Sequence, residues 1–201
     1  MNSAFRRSPY RWQYRLKHPG KEVLDFCRNL KYCVQRIRKG YCDADVWDIY
    51  GWFLSVMPDM LQELKENHVA YPDPLDGETA STEEEGIRRW ESILDRMIFL
   101  FREADEDTCT KKNPYDKRYW KASKEFKKRY GPRGEKLRTE KDREERERTG
   151  RNRMYTMHDV PEYKDISSKW LHAELRLDRY RAGCRKEALE LFNRYFDHLW
   201  D

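Results

Sequence analysis

What the chain lacks narrows the possibilities first. Nowhere do 18 apolar residues run together, so no segment has the length of apolar helix that a bilayer span needs. The opening MNSAFRRSPYRWQYRLKHPG carries basic residues with no apolar stretch behind them, which is not the pattern of an export signal. Only 9 glycines and 8 prolines punctuate 201 residues. Valine and threonine are sparse and Lys, Arg, Glu and Leu abound, a composition that favours helix over strand. Cysteine has no framework: Cys27, Cys33, Cys42, Cys109 and Cys184 are odd in number and show no CxxC spacing. A chain of this length removes about 70% of its unfolded surface from water and needs no staples, so a reducing, cytoplasmic setting fits.

Aliphatic residues do not dominate what is there. Hydrophobic residues make up 38% of the chain and charged ones 39%, with 13 Tyr, 8 Phe and 7 Trp. The expected core is therefore aromatic-rich and the exterior densely charged.

Periodicity places the helices. In KEVLDFCRNLKYCVQRIRKG, Val23, Cys27, Leu30, Val34 and Ile37 recur at three-and-four spacing before Gly40, predicting an amphipathic helix with a left-handed stop. A second helix is expected from about Asp45 to Glu66 on Val46, Ile49, Phe53, Met57, Met60, Leu61 and Leu64, kinked or split by Pro58. VAYPDPLDGETA is loop chemistry. A third helix opens on Ser81 with Glu84, or Thr82 with Glu85, as a capping box; Ile87, Trp90, Leu94, Met97, Ile98 and Phe101 then form one face, with Trp90 in the core. Asn113 and Pro114 read as the cap and first turn of a fourth helix ending near Gly131. EKLRTEKDREERERTGRNR holds one apolar residue, Leu137, so it is either a solvated helix held by charge pairs or partly flexible. After a loop around Pro161, Trp170, Ala173, Leu177, Tyr180, Cys184, Ala188, Leu191 and Tyr195 keep one face over 166–200, a helix of about 50 Å. The expected fold is thus all-α: a bundle of about five helices, with 1–20 as a basic arm, 21–201 as a single helical domain and 131–155 as a charged insertion or linker.

Few residues suggest chemistry. RKGYCDADVWDIYGWF sets Asp43, Asp45 and Asp48 within six positions. A calcium loop starting at Asp43 would need glycine at its sixth position and glutamate at its twelfth, where Asp48 and Leu54 stand. The alternative is a helix start: Asp43 or Asp45 accepts first-turn amides, and the Trp47, Ile49 and Trp52 region enters the core. The five histidines include no HExxH pair, and His172 with Glu174 forms an HxE that lacks a following PCxxC. There is no glycine-rich phosphate loop and no GxSxG elbow. Cys27, Cys33 and Cys184 fall on or beside apolar helix faces, where buried, inert thiols are expected. No catalytic residue, metal ligand or cofactor is assigned.

Charge is strongly segmented. Residues 1–42 hold 11 basic and 2 acidic residues, 43–107 hold 5 and 18, 111–153 hold 18 and 8, and 154–201 hold 8 and 9, within a net charge of +5. Over 121–138, Lys127, Lys128, Arg129, Tyr130, Arg133, Lys136 and Arg138 are candidate contacts to a phosphate backbone or a protein partner. The interleaved carboxylates count against nucleic acid and offer intramolecular partners instead.

QRIRKGYCDADVWDIYGWF, AYPDPL followed by ILDRMIFLF, YGPRGEKLRTEKDREE, RMYTMHDVPEYKDIS and ALELFNRYFDHLWD together resemble a family of uncharacterised proteins encoded by tailed phages and prophages of gut bacteria, over most of 30–201. The resemblance implies an α-helical protein of the bacterial host cytoplasm with Asp201 close to a natural C-terminus, and it implies no catalytic residues. The leading expectation is a non-enzymatic interaction protein for a host or phage macromolecule, such as an inhibitor of a host defence complex or an assembly accessory. The alternative is nucleic-acid binding through 121–138.

Overall fold

The computed structural model describes residues 19–200. They are 74% helical, with no strand among them, so the fold is all-α. Seven α-helices occur among the described residues, where about five were expected. They are α1 (Pro19–Lys39), α2 (Asp43–Trp47), α3 (Ile49–Asn67), α4 (Glu83–Ala104), α5 (Asp116–Tyr130), α6 (Glu140–Thr149) and α7 (Pro161–Arg194). None is long and apolar enough to cross a membrane. The basic arm expected over 1–20 lies outside the described residues, except that Pro19 and Gly20 open α1.

The extra helices have local causes. The break expected at Pro58 lies instead at Asp48, whose backbone leaves helical geometry (φ −136°, ψ 67°) and whose carboxylate accepts from the Gly51 amide at 3.0 Å, starting a new helix. Pro58 sits inside α3 with its ring buried. One missing amide costs a single intrahelical bond, which the apolar contact of the ring offsets. The reset also rotates the stripe: Leu54, Pro58 and Leu61 are buried, Phe53, Met57 and Leu64 are half-buried, and Val46, Ile49 and Met60 are exposed. Trp47 and Ile49 therefore do not enter the core, and Trp47 is 92% exposed.

The chain divides into two compact units. One runs to Thr108 and resumes at Cys184; the other is Cys109–Gly183. In the first, α4 supplies the centre: Trp90, Leu94, Met97, Ile98 and Phe101 are buried, as their spacing predicts. Thr82 caps α4 by accepting from the Glu85 amide at 3.2 Å, while Ser81 binds the Glu85 carboxylate. Phe101 meets Phe53 and Phe192 edge to face, with centroids 5.5 Å and 6.0 Å away, and Trp90 meets Tyr195 at 5.8 Å. Such edge-to-face pairs add to the area each ring buries.

The second unit is built on α5, α6 and the first part of α7. Phe126, Met157, Val160 and Tyr163 form its buried cluster, with Tyr119, Ala122, Tyr130, Leu137 and Ile166 packed against them. Trp170 stacks on Tyr119 at 4.1 Å and donates its indole N–H to Asp116 at 2.8 Å. Pro161 is the first residue of α7, not part of a loop, since a helix start tolerates a residue without an amide hydrogen. Asn113 and Pro114 are not the cap and first turn: the helix begins at Asp116 with Tyr115 at its N-cap, and Asn113 accepts from the Tyr115 amide at 3.0 Å in the turn before it.

The charged run is helical over Glu140–Thr149 because its ends are tied. Thr139 and Asp142 close a capping box, and Gly150 takes the left-handed conformation (φ 71°) at the other end. Asp142 is buried and accepts from the Thr139 amide (2.7 Å), the Thr139 hydroxyl (2.9 Å) and the Tyr155 hydroxyl (2.7 Å). One carboxylate thus anchors a helix that has no apolar face.

Candidate interaction surface

The acidic cluster is consumed within the protein. Asp45 accepts two bonds from Arg36, at 2.6 Å and 3.0 Å, and one from the Cys42 amide at 2.8 Å. Those hydrogen bonds, led by Arg36, hold its carboxyl at about 2, below the ordinary aspartate value. Asp43 accepts from Lys31 at 2.7 Å and Gln35 at 2.9 Å. Asp45 accepts not from a first-turn amide, as expected of a cap, but from the amide of Cys42, the residue before α2. No group of three or more His, Cys, Asp or Glu side chains that could hold a metal occurs among the described residues. The HxE pair is split, His172 lying exposed beside the Ser168 carbonyl while Glu174 accepts from Asn113 and Arg181. Of the cysteines expected to be buried, Cys184 is, Cys33 is half-buried and Cys27 is exposed.

The basic candidates over 121–138 separate once placed. Lys127 and Lys128 stand exposed on the last turn of α5. Arg129 is committed to Glu162 at 2.8 Å, and Tyr130 is half-buried against Phe126. Arg133 and Lys136 are exposed in the segment after α5, whereas Arg138 donates its side chain to the Arg153 carbonyl at 3.1 Å. The seven residues do not form one tract.

A different set does. Lys117, Lys121, Lys124 and Lys128 are spaced four, three and four along α5, which at 100° per residue sets them within a narrow arc. All four are exposed and none is ion-paired to a described residue. Their Cα atoms span about 16 Å of helix axis. Tyr119, Ser123, Phe126 and Tyr130 occupy the opposite, inward face, so packing of the unit fixes which way the lysines point. Trp120, 53% exposed, flanks the stripe beside Lys127, and Glu125 flanks the other edge. The sequence does contain the signal, as a 4-3-4 lysine spacing on the face opposite the aromatics; a window beginning at 121 and weighted by total charge misses it. The arrangement can neutralise a row of anionic groups and offers one ring for stacking, but it assembles no nucleophile, acid or base.

Elsewhere, Asp76, Glu78, Glu85, Arg88 and Arg89 line a broad open groove beside α4, with Arg89 held by Glu85 at 2.7 Å and Glu78 at 3.6 Å. No family model matches the sequence, and no curated protein or solved structure matches it.

Proposed function

We propose that the chain is a non-enzymatic interaction protein that docks on an anionic macromolecule of host or phage through the lysine face of α5. The observation that carries this reading is the row Lys117, Lys121, Lys124 and Lys128, exposed, without ion pairs to the described residues and held outward by the aromatic cluster behind it. Cations left free of internal carboxylates are available to a partner, and a fixed helix spares them part of the ordering cost of binding. Copurification from cells producing the phage, with and without Lys→Ala changes at the four positions, tests it. A stoichiometric protein retained by the wild type and lost by the quadruple variant supports it. Turnover of a defined substrate, or equal retention by both proteins, sinks it.

The second reading, in which the anion is nucleic acid, draws on Trp120 beside the lysines, since an exposed ring can stack on an unpaired base. Binding would then weaken steeply with added salt, and removing the four lysines would lower the salt dependence by about three to four released counterions. Salt-independent retention of labelled DNA and RNA removes that reading and leaves the protein-partner one standing.

A further inference from the structure

Helix α1 is tied to the start of α2 by polar side chains. Asp25, Asn29, Tyr32 and Arg36, spaced four, three and four, are its half-buried face, and Arg36, Lys31 and Gln35 hold it to Asp45 and Asp43. The apolar stripe therefore points away. Val23, Phe26, Leu30, Val34 and Ile37 are 61%, 59%, 52%, 46% and 84% exposed. Periodicity predicts this stripe and predicts burial; among the described residues the stripe stays exposed.

From this we infer that α1 pairs antiparallel with α1 of a second copy of the chain. Val23, Leu30 and Ile37 repeat every seven residues, with Phe26 and Cys33 three positions after the first two, which is the seam spacing of a coiled-coil contact. The five exposed side chains present roughly 600 Å², against about 800 Å² per partner in a standard interface. A face of this size stands at the upper end of what a monomer leaves in water, where such patches commonly mark contacts, and a two-fold contact lets one stripe cover its own copy.

Charge selects the occupant and its direction. Residues 1–18 contain five basic and no acidic residues, so folding them onto α1 would add cations to a helix that already carries six basic residues against two acidic. In a parallel pair, Arg36, Arg38 and Lys39 of the two last turns would abut. Antiparallel pairing separates those ends by most of the helix length, about 30 Å, well beyond the screening distance at physiological salt. This inference goes beyond the proposed function and uses a helix of the other unit, so each can fail alone.

Light scattering and sedimentation equilibrium on the full chain read the outcome. The wild type is expected at twice the chain mass at about 50 μM. Leu30→Glu with Ile37→Glu is expected to give a monomer with unchanged far-UV circular dichroism, since both side chains are exposed, and Leu30→Met is expected to keep the dimer. A monomeric wild type at that concentration, or a dimer that survives both glutamates, overturns the inference. Direction is read by oxidising the Cys27→Ser variant: antiparallel copies hold their Cys33 residues too far apart to bridge, and a Cys33–Cys33 crosslink in high yield overturns the orientation. Loss of dimerisation with copurification intact, or the reverse, separates this contact from the lysine face.

Discussion

Arg36 grips Asp45 with two bonds, from Nη2 to Oδ1 at 2.6 Å and from Nε to Oδ2 at 3.0 Å, and in doing so fixes α1 by its polar edge to the start of α2. A forked guanidinium pair fixes orientation as well as distance, which a cluster of aliphatic contacts does not. The same carboxylate accepts from the Cys42 amide and so starts α2. One aspartate therefore decides both where a helix begins and which way its neighbour faces.

The pH dependence of that tether follows from its sign. The Asp45 carboxyl is held at about 2, below its ordinary value, chiefly by Arg36. A depressed carboxyl contributes stability that is fully present above the unfolded value near 4 and is lost as pH falls through about 2. The expected contribution is about 1–2 kcal/mol at neutral pH. Amide hydrogen exchange in α1 should accelerate between pH 4 and pH 2 relative to α4, and Asp45→Asn should show fast α1 exchange already at pH 7. Equal protection of α1 in the variant and the wild type would show that the fork does not hold the helix.

Trp90 tests the core. It is 1% exposed, lies on the inward face of α4 and meets Tyr195 at 5.8 Å. Trp90→Ala removes the largest side chain in the centre, and the expected loss is about 3–5 kcal/mol by urea denaturation, enough to threaten a marginally stable domain. A loss under about 1 kcal/mol would place the indole outside the core.

These two residues also show what the sequence reveals and where it stops. The face of α4 was legible because its apolar residues recur without a break and a Thr82–Glu85 cap starts the count. In α1 periodicity is just as clear, yet it reports only that a stripe exists. What covers the stripe is a tertiary matter, and here a distant carboxylate, Asp45, competes for the helix and wins. The second expected helix went wrong for a third reason. Pro58 is the conspicuous breaker in the sequence, but Asp48 can satisfy the Gly51 amide with its own side chain, so it interrupts the helix there, leaving Val46, Ile49 and Met60 exposed while Leu61 stays buried. The lysine face of α5 was legible in principle and obscured by counting charge over a window when the spacing carries the information.

Asp142 should control the order of α6. Hydrogen bonds from the Thr139 amide and then the Tyr155 hydroxyl hold its carboxyl below the usual aspartate range, so the anchor is complete above that range and weakens as acid protonates it. Asp142→Ala leaves the Thr139 amide and hydroxyl and the Tyr155 hydroxyl without this acceptor. Since α6 has no apolar face, nothing else compensates. Limited trypsin digestion is expected to cut first at Arg143, Arg146 and Arg148 in the variant, while the wild type resists there. Cleavage of both proteins at equal rates in this segment would rule out the anchor.

Gly86 carries a prediction opposite to helix propensity. It sits buried in α4, where alanine would ordinarily stabilise the helix by about 1 kcal/mol. A Cβ built there runs into the ring of Tyr71, meeting its Cε2, Cζ and Cδ2 atoms, so the ring must leave the helix surface before the methyl can fit. Displacing a packed aromatic costs more than the propensity returns, and Gly86→Ala is expected to lose about 1–3 kcal/mol. The double variant with Tyr71→Ala removes the obstacle, and there the glycine-to-alanine change should turn stabilising. That reversal of sign, measured as a double-mutant cycle by urea denaturation, is what the close approach of Tyr71 requires. Alanine that destabilises equally with and without the tyrosine would mean that another neighbour of Gly86 sets the limit.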